Sequence, residues 1–246
     1  MKLSGSEIII ECLKKEGVEF IFGYPGGAVL HIYDALFNAK KIKHVLARHE
    51  QGATHAADGY ARACGKPGVV LVTSGPGITN CVTGLATAHM DSIPMIVISG
   101  QVSRQYVGSD AFQEADATGI TRPVTKHNFL VDSRESIAEV FKKAFVIATT
   151  GRPGPVLIDI PMDLQRCKVN PTKLKSFKFK KQKKSKINSK INYVINKIKK
   201  SKKPVIILGG GVKYAGAENN LNKFLQKLNI PVVTTWSGVD LIDHTQ

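Results

Sequence analysis

At 246 residues the chain is long enough for one large α/β domain, or for one domain and part of a second, and too long for a small disulfide-stapled scaffold. Hydrophobic residues make up 43% and charged residues 22%; no apolar run reaches the roughly 18 residues of a membrane-spanning helix, and neither a membrane partner nor an export peptide is expected. The formal net charge of +16 raises the question of nucleic acid, and its location argues against it: sixteen Lys or Arg and no acid lie between Arg166 and Lys203, leaving nineteen of each sign elsewhere.

In chain order, Ile9, Cys12 and Leu13 recur at helical spacing between Ser6 and Lys15, with Ser4 and Ser6 as candidate caps and Gly17 as the stop. Val18 to Phe22 reads as a strand, Gly23-Tyr24-Pro25-Gly26-Gly27 as a turn, and 28 to 39 as a helix. The unit then repeats: strand 42 to 46 and helix 51 to 63, then strand 68 to 73, the turn Ser74-Gly75-Pro76-Gly77 and helix 79 to 90. A strand at 94 to 99 leads into a polar, irregular stretch from Gly100 to Asn128. A helix over 134 to 149 and a strand over 156 to 160 follow. Short apolar strands alternating with helices predict an α/β fold, a parallel sheet with helices on both faces.

Beyond the basic stretch, a helix near 187 to 200, a strand at 204 to 208, Gly209-Gly210-Gly211, a helix near 217 to 228 and a strand at 231 to 234 open a second α/β unit. Two strands and two helices do not close a doubly wound sheet, so Gln246 is expected to fall inside that domain. The cysteines Cys12, Cys64, Cys81 and Cys167 are far apart and form no C-x-x-C pair, which suggests free thiols in a reducing cytoplasm. The basic stretch, with Phe177 and Phe179 among its lysines, offers an RNA-binding alternative, but a solvated linker explains it with fewer assumptions.

Ligands of doubly wound sheets sit beyond the carboxyl ends of the strands, so chemistry is sought in three loops. The glycine turns 23–27 and 74–77 allow close backbone approach, yet neither fits a dinucleotide fingerprint or a P-loop. Arg48-His49-Glu50-Gln51 places an acid where strand hands over to helix. His49 and His55 stand six apart and fail the zincin spacing, so from spacing alone a surface ion pair between Glu50 and Arg48 is the simplest reading.

The set of motifs taken together says more. Phe22-Gly23-Tyr24-Pro25-Gly26-Gly27, Arg48-His49-Glu50-Gln51, Thr73-Ser74-Gly75-Pro76-Gly77-Ile78-Thr79-Asn80, Asp91-Ser92-Ile93-Pro94, Ala111-Phe112-Gln113-Glu114 and Gly151-Arg152-Pro153-Gly154-Pro155-Val156 occur in this order. The sequence closely resembles the large catalytic subunits of the acetolactate synthase family, specifically from about Leu3 to Pro161 and more loosely from Lys203 onward.

That resemblance implies a thiamine-diphosphate transferase that decarboxylates pyruvate and joins the two-carbon unit to pyruvate or 2-oxobutanoate, in branched-chain amino-acid synthesis. It implies a pyrimidine-binding domain over 1–165, a basic linker over 166–190 and the start of a central FAD-binding-type domain over 191–246. Glu50 would hydrogen-bond the pyrimidine ring nitrogen, with Tyr24, Pro25, Gly26, Gly27 and Asn80 lining the cofactor pocket. Gln113 matches a catalytic position, Phe112 and Lys126 the substrate region, and Arg152 an FAD-contacting arginine. FAD and Mg2+ are expected cofactors, with no metal ligands in this chain and residues 1–246 alone inactive. A homodimer with a small regulatory subunit is the expected assembly. The alternative within the class is a pyruvate oxidase or decarboxylase.

Overall fold

The computed structural model describes residues 2–179 and 188–243, so the middle of the basic linker, 180–187, and the final three residues lie outside them. The chain divides into two compact units, Met1–Phe179 and Lys180–Gln246. The first begins with strand β1 (Leu3–Ser4) and helix α1 (Gly5–Lys15). Of the two candidate caps it is Ser4 that acts. Its hydroxyl accepts the Glu7 amide at 3.1 Å while the Glu7 carboxylate accepts the Ser4 amide at 2.6 Å, a reciprocal box that satisfies two amides with no partner inside the helix.

Strand β2 (Phe20–Gly23), helix α2 (Leu30–Phe37), strand β3 (Lys43–Leu46), helix α3 (Glu50–Cys64) and strand β4 (Gly68–Val72) follow. Next come α4 (Pro76–Thr79), α5 (Val82–Met90), β5 (Met95–Gln101), α6 (Ala117–Thr121), β6 (His127–Leu130), α7 (Ile137–Thr149), β7 (Pro155–Pro161), α8 (Met162–Arg166) and β8 (Lys168–Val169). Strands β3-β2-β4-β5-β7-β6 form one six-stranded sheet in that order, every pair parallel, while β1 and β8 pair antiparallel as a clip beside it.

Alternation along the central strands sorts their side chains into two buried layers. Val69 and Leu71, Ile96 and Ile98, and Val156, Ile158 and Ile160 face α1, α2 and α7 with Ile9, Leu13, Ile32 and Phe141. Val70 and Val72, Met95 and Val97, and Leu157 face α3 and α5, where Ala53, Ala57, Ala61, Leu85 and Ala88 let the helices sit close. The protein is α/β with helices on both faces of a parallel sheet, as the alternation predicts. Strand β6 departs from the sequence reading, which ended an irregular loop there. His127-Asn128-Phe129-Leu130 is an edge strand with no buried residue, so it lacks the continuous apolar run that marks its neighbours.

In the second unit α9 (Asn188–Lys200) precedes β9 (Ile206–Leu208), α10 (Gly211–Tyr214), α11 (Glu218–Leu228) and β10 (Val232–Thr234), with β9 and β10 parallel. Among the described residues no helix is long and apolar enough to cross a membrane.

Candidate functional site

Sheet order places the site. From β2 the chain moves outward to β3, then crosses back over β2 to β4, so the connections from β2 and β4 leave the sheet in opposite directions. A crevice opens at such a reversal beyond the carboxyl ends of the strands. The two strands approach closely there: a Cβ on Gly23 would stand 2.1 Å from the Leu71 carbonyl oxygen and 2.8 Å from the Tyr33 hydroxyl. That hydroxyl donates to Leu71 O and meets His44 Nε2, both at 3.2 Å. Burial raises the Tyr33 phenol well above its ordinary value, with the nearby Glu50 charge adding to the shift, and burial lowers His44.

Around this crevice the loop after β2 is fastened to the loop after β4. The Ala28 amide donates to Thr73 Oγ1 at 3.2 Å, and Gly26 lies so close that a Cβ there would fall 2.5 Å from Thr73 Cβ. Gly26 and Gly27 are thus held against the start of the second glycine turn. Tyr24, 42% exposed, stands at the same rim with Pro25 beside it.

Glu50 enters from the third loop as the first residue of α3. His49 precedes it as N-cap, its Nδ1 accepting the Gln51 amide at 3.1 Å, so the ring nitrogen fixes the entry angle of the helix. The Glu50 carboxylate is half-buried. Its Oε2 accepts a 2.9 Å hydrogen bond from Asn80 Nδ2. Its Oε1 faces the glycine turn, 3.8 Å from where a Gly77 Cβ would stand, and among the described residues no donor reaches it. Arg48 does not pair with it; the simple ion pair is replaced by an amide from the opposite loop. Beneath, Cys81 donates its thiol to Gly77 O at 3.4 Å, and burial pushes that thiol up to about 12, closing it to ionisation at neutral pH.

Gln113 reaches the same turn from the far side. Gly75 has φ +58°, and a Cβ on it would lie 2.6 Å from Gln113 O, so the 108–116 loop rests directly on the glycine backbone. Phe112 is 87% exposed and the Gln113 side chain is exposed. The structure therefore gathers Glu50, Asn80, Gly26, Gly27 and the backbone of Gln113 about residues 73–77.

It does not bring Lys126 or Arg152 there. Both precede strands, β6 and β7, and so lie at the amino end of the sheet. The Lys126 ammonium donates to Ile147 O in the last turn of α7 and, at 2.6 Å, to the O of its C-cap Thr150. Arg152 donates to Ser92 Oγ at 2.7 Å and Met90 O at 3.1 Å, tying its loop to the end of α5. Cavities of about 260 and 330 Å3 lie elsewhere and neither includes Glu50. Among the described residues no group of three His, Cys, Asp or Glu side chains stands together to hold a metal ion.

Some participants escaped the sequence reading. Thr73 and Glu114 belong to the quoted motifs without a role assigned, Tyr33 and Asp159 sit within helix or strand patterns that give no signal of their own, and Gln101, the last residue of β5, falls in the stretch read as irregular. Asp159 is the most unusual of these: it is buried in β7, its Oδ2 accepts from Gln101 Nε2 at 3.0 Å, and its Oδ1 has no partner among the described residues. Desolvation pushes its carboxyl up to about 7 against the lowering hydrogen bond of Gln101.

Comparison with known proteins agrees with this geometry. The family description "Thiamine pyrophosphate enzyme, N-terminal TPP binding domain" matches residues 3–120, and "Thiamine pyrophosphate enzyme, central domain" matches 191–246. The acetolactate synthase large subunit of Haemophilus influenzae is 50% identical over 99% of this chain and 43% of its own length. That of Buchnera aphidicola is 51% identical over 96% of the chain and 42% of its own. The isozyme 3 large subunit of Escherichia coli is 48% identical over 99% and 43%. The chain thus spans less than half the length of these relatives. Its two matched domains and its identity to these subunits along nearly its whole length show that it belongs to the thiamine pyrophosphate enzyme family, as a homologue of acetolactate synthase large subunits.

Proposed function

We propose that the protein to which this chain belongs is an acetolactate synthase large subunit, a transferase that decarboxylates pyruvate and joins the two-carbon unit to a second 2-oxo acid, pyruvate or 2-oxobutanoate. The observation that carries this reading is the Glu50 carboxylate at the strand-order reversal, held on one oxygen by Asn80 and open on the other toward the 73–77 turn. One accepting oxygen free in a half-buried crevice suits the ring nitrogen of an aminopyrimidine.

When bound, thiamine diphosphate supplies the nucleophilic carbon and the electron sink for decarboxylation. Glu50 holds and shares a proton with the pyrimidine nitrogen, and Asn80 keeps the carboxylate turned toward it. Tyr24, Pro25, Gly26 and Gly27 would line the pocket for the ring, Gly26 lying directly against Thr73. Gln113 and Phe112 meet the 2-oxo acid from the loop on Gly75. Magnesium and FAD belong to the reading through the family; no described cluster here holds the metal, Arg152 is engaged with Ser92 and Met90, and no step is assigned to either. The domain limits 1–165, 166–190 and 191–246, a cytoplasmic site and a homodimer with a small regulatory subunit complete the proposal. The relatives' names as large subunits and the four free cysteines support it.

The test is product analysis of the complete protein with pyruvate, thiamine diphosphate, Mg2+ and FAD. Acetolactate is the expected product. Acetaldehyde or acetate without acetolactate would replace this reading by a decarboxylase or oxidase.

A further inference from the structure

The 108–116 loop is an unusual object to find in a reactive site. Three of its residues have positive φ, Gly108 (+84°), Asp110 (+54°) and Gln113 (+56°), and two of them carry a Cβ. Such conformations persist only where the surroundings over-determine them. Apolar packing does not do so here, since Phe112 points into solvent and Ala111 is the only other hydrophobic residue between Gly108 and Glu114.

What holds the loop is a carboxylate of its own. Glu114 accepts hydrogen bonds from the amide of Gly108, from that of Ser109 at 3.2 Å and from that of Ala111 at 3.0 Å, while its own amide donates to Ala111 O at 2.9 Å. Successive amides turned inward form a concavity that favours an anion, and the anion is built in. The bond from the Gly108 amide is the largest cause holding the Glu114 carboxyl below its ordinary range, so the charge is present throughout the neutral region. Beyond Glu114 the loop is pinned a second time, the Ala115 carbonyl accepting from Gln101 Nε2 at 3.0 Å. Between these two anchors Gln113 is pressed on Gly75.

We propose that Glu114 is a positioning residue: by gathering the amides of Gly108, Ser109 and Ala111 it preforms the loop and sets Gln113 and Phe112 over the glycine turn beside Glu50. The inference rests on the reading of Gln113 as a residue that meets the 2-oxo acid. Glu114 touches no reactant itself; it acts through its neighbour.

Two measurements on the complete protein test it. The first is a double-mutant cycle with pyruvate as substrate. Glu114→Gln should lower kcat/KM at least tenfold and leave thiamine-diphosphate affinity within twofold; in a Gln113→Ala background the same change should cost less than twofold. The second is amide hydrogen exchange, in which residues 108, 109 and 111 should exchange at least tenfold faster in Glu114→Gln and recover part of their protection in Glu114→Asp, which keeps the anion. Additive losses in the cycle, or unchanged exchange, overturn the positioning role alone. Unchanged turnover in Gln113→Ala overturns the reading of Gln113 and the positioning role with it.

Discussion

An amide in place of the Glu50 carboxylate keeps the shape of the side chain and its reach toward Asn80, but it cannot share a proton with a ring nitrogen. Glu50→Gln in the complete protein should therefore cost on the order of 100-fold or more in kcat with little change in folding. Near-normal turnover at saturating thiamine diphosphate would remove Glu50 from the mechanism. Asp159 poses a different question, because its carboxyl is buried, has one orphan oxygen and titrates near 7 with Asp116 as the nearby acid. A carboxyl raised in the folded state binds its proton more tightly there than in the unfolded chain. Stability is then greatest below the ordinary aspartate value of 3.8 and falls as pH rises to about 7, by at most about 1.4 kcal/mol per pH unit. Asp159→Asn, which keeps an acceptor for Gln101, should flatten that slope and raise stability above pH 7. Urea unfolding from pH 4 to 8 checks it, and a slope unchanged in the variant would place the titration elsewhere.

Elements with a dense apolar run were legible in the sequence and those without were not. Val69 to Val72 and Met95 to Ser99 are buried without interruption, and their short continuous apolar runs between turn signals read as central strands. The short helix α6 is the converse case: Ala117–Thr121 spans barely a turn, is capped by Asp116 accepting from Gly119, and buries only Ala117 and Thr121. Nothing periodic announces it. Lys126, which the resemblance puts in the substrate region, is engaged here by a helix end. Its ammonium lies on carbonyls that α7 leaves without partners, at the negative end of the helix, and burial lowers its pKa. Lys126→Met should destabilise the protein by about 1–2 kcal/mol, read as a lower denaturation midpoint, because the lost bonds are charge-assisted and partly shielded. A raised KM for pyruvate with an unchanged midpoint would return Lys126 to the substrate entrance.

On the scale of the whole molecule, the sequence located the loops that matter, while their company needed the topology. Glu50 and Asn80 are thirty residues apart and meet only because β3 and β4 flank β2 with α3 crossing between them. The charge distribution runs the other way, being plain in the sequence and absent from the site. Sixteen basic residues without an acid lie between Arg166 and Lys203, past β7 and around the border of the two units. Charges that act on a site through solvent are screened within about 8 Å at physiological salt, so a solvated linker predicts little effect on catalysis. Replacing Lys180, Lys181, Lys183, Lys184 and Lys186 by Gln in the complete protein should accordingly leave kcat and KM within about twofold. Binding of unrelated single-stranded RNA that weakens with salt, by a slope of about 0.7 per phosphate contact, and is lost in the variant would replace the linker reading by the RNA-binding one. A tenfold loss of turnover would tie the lysines to catalysis.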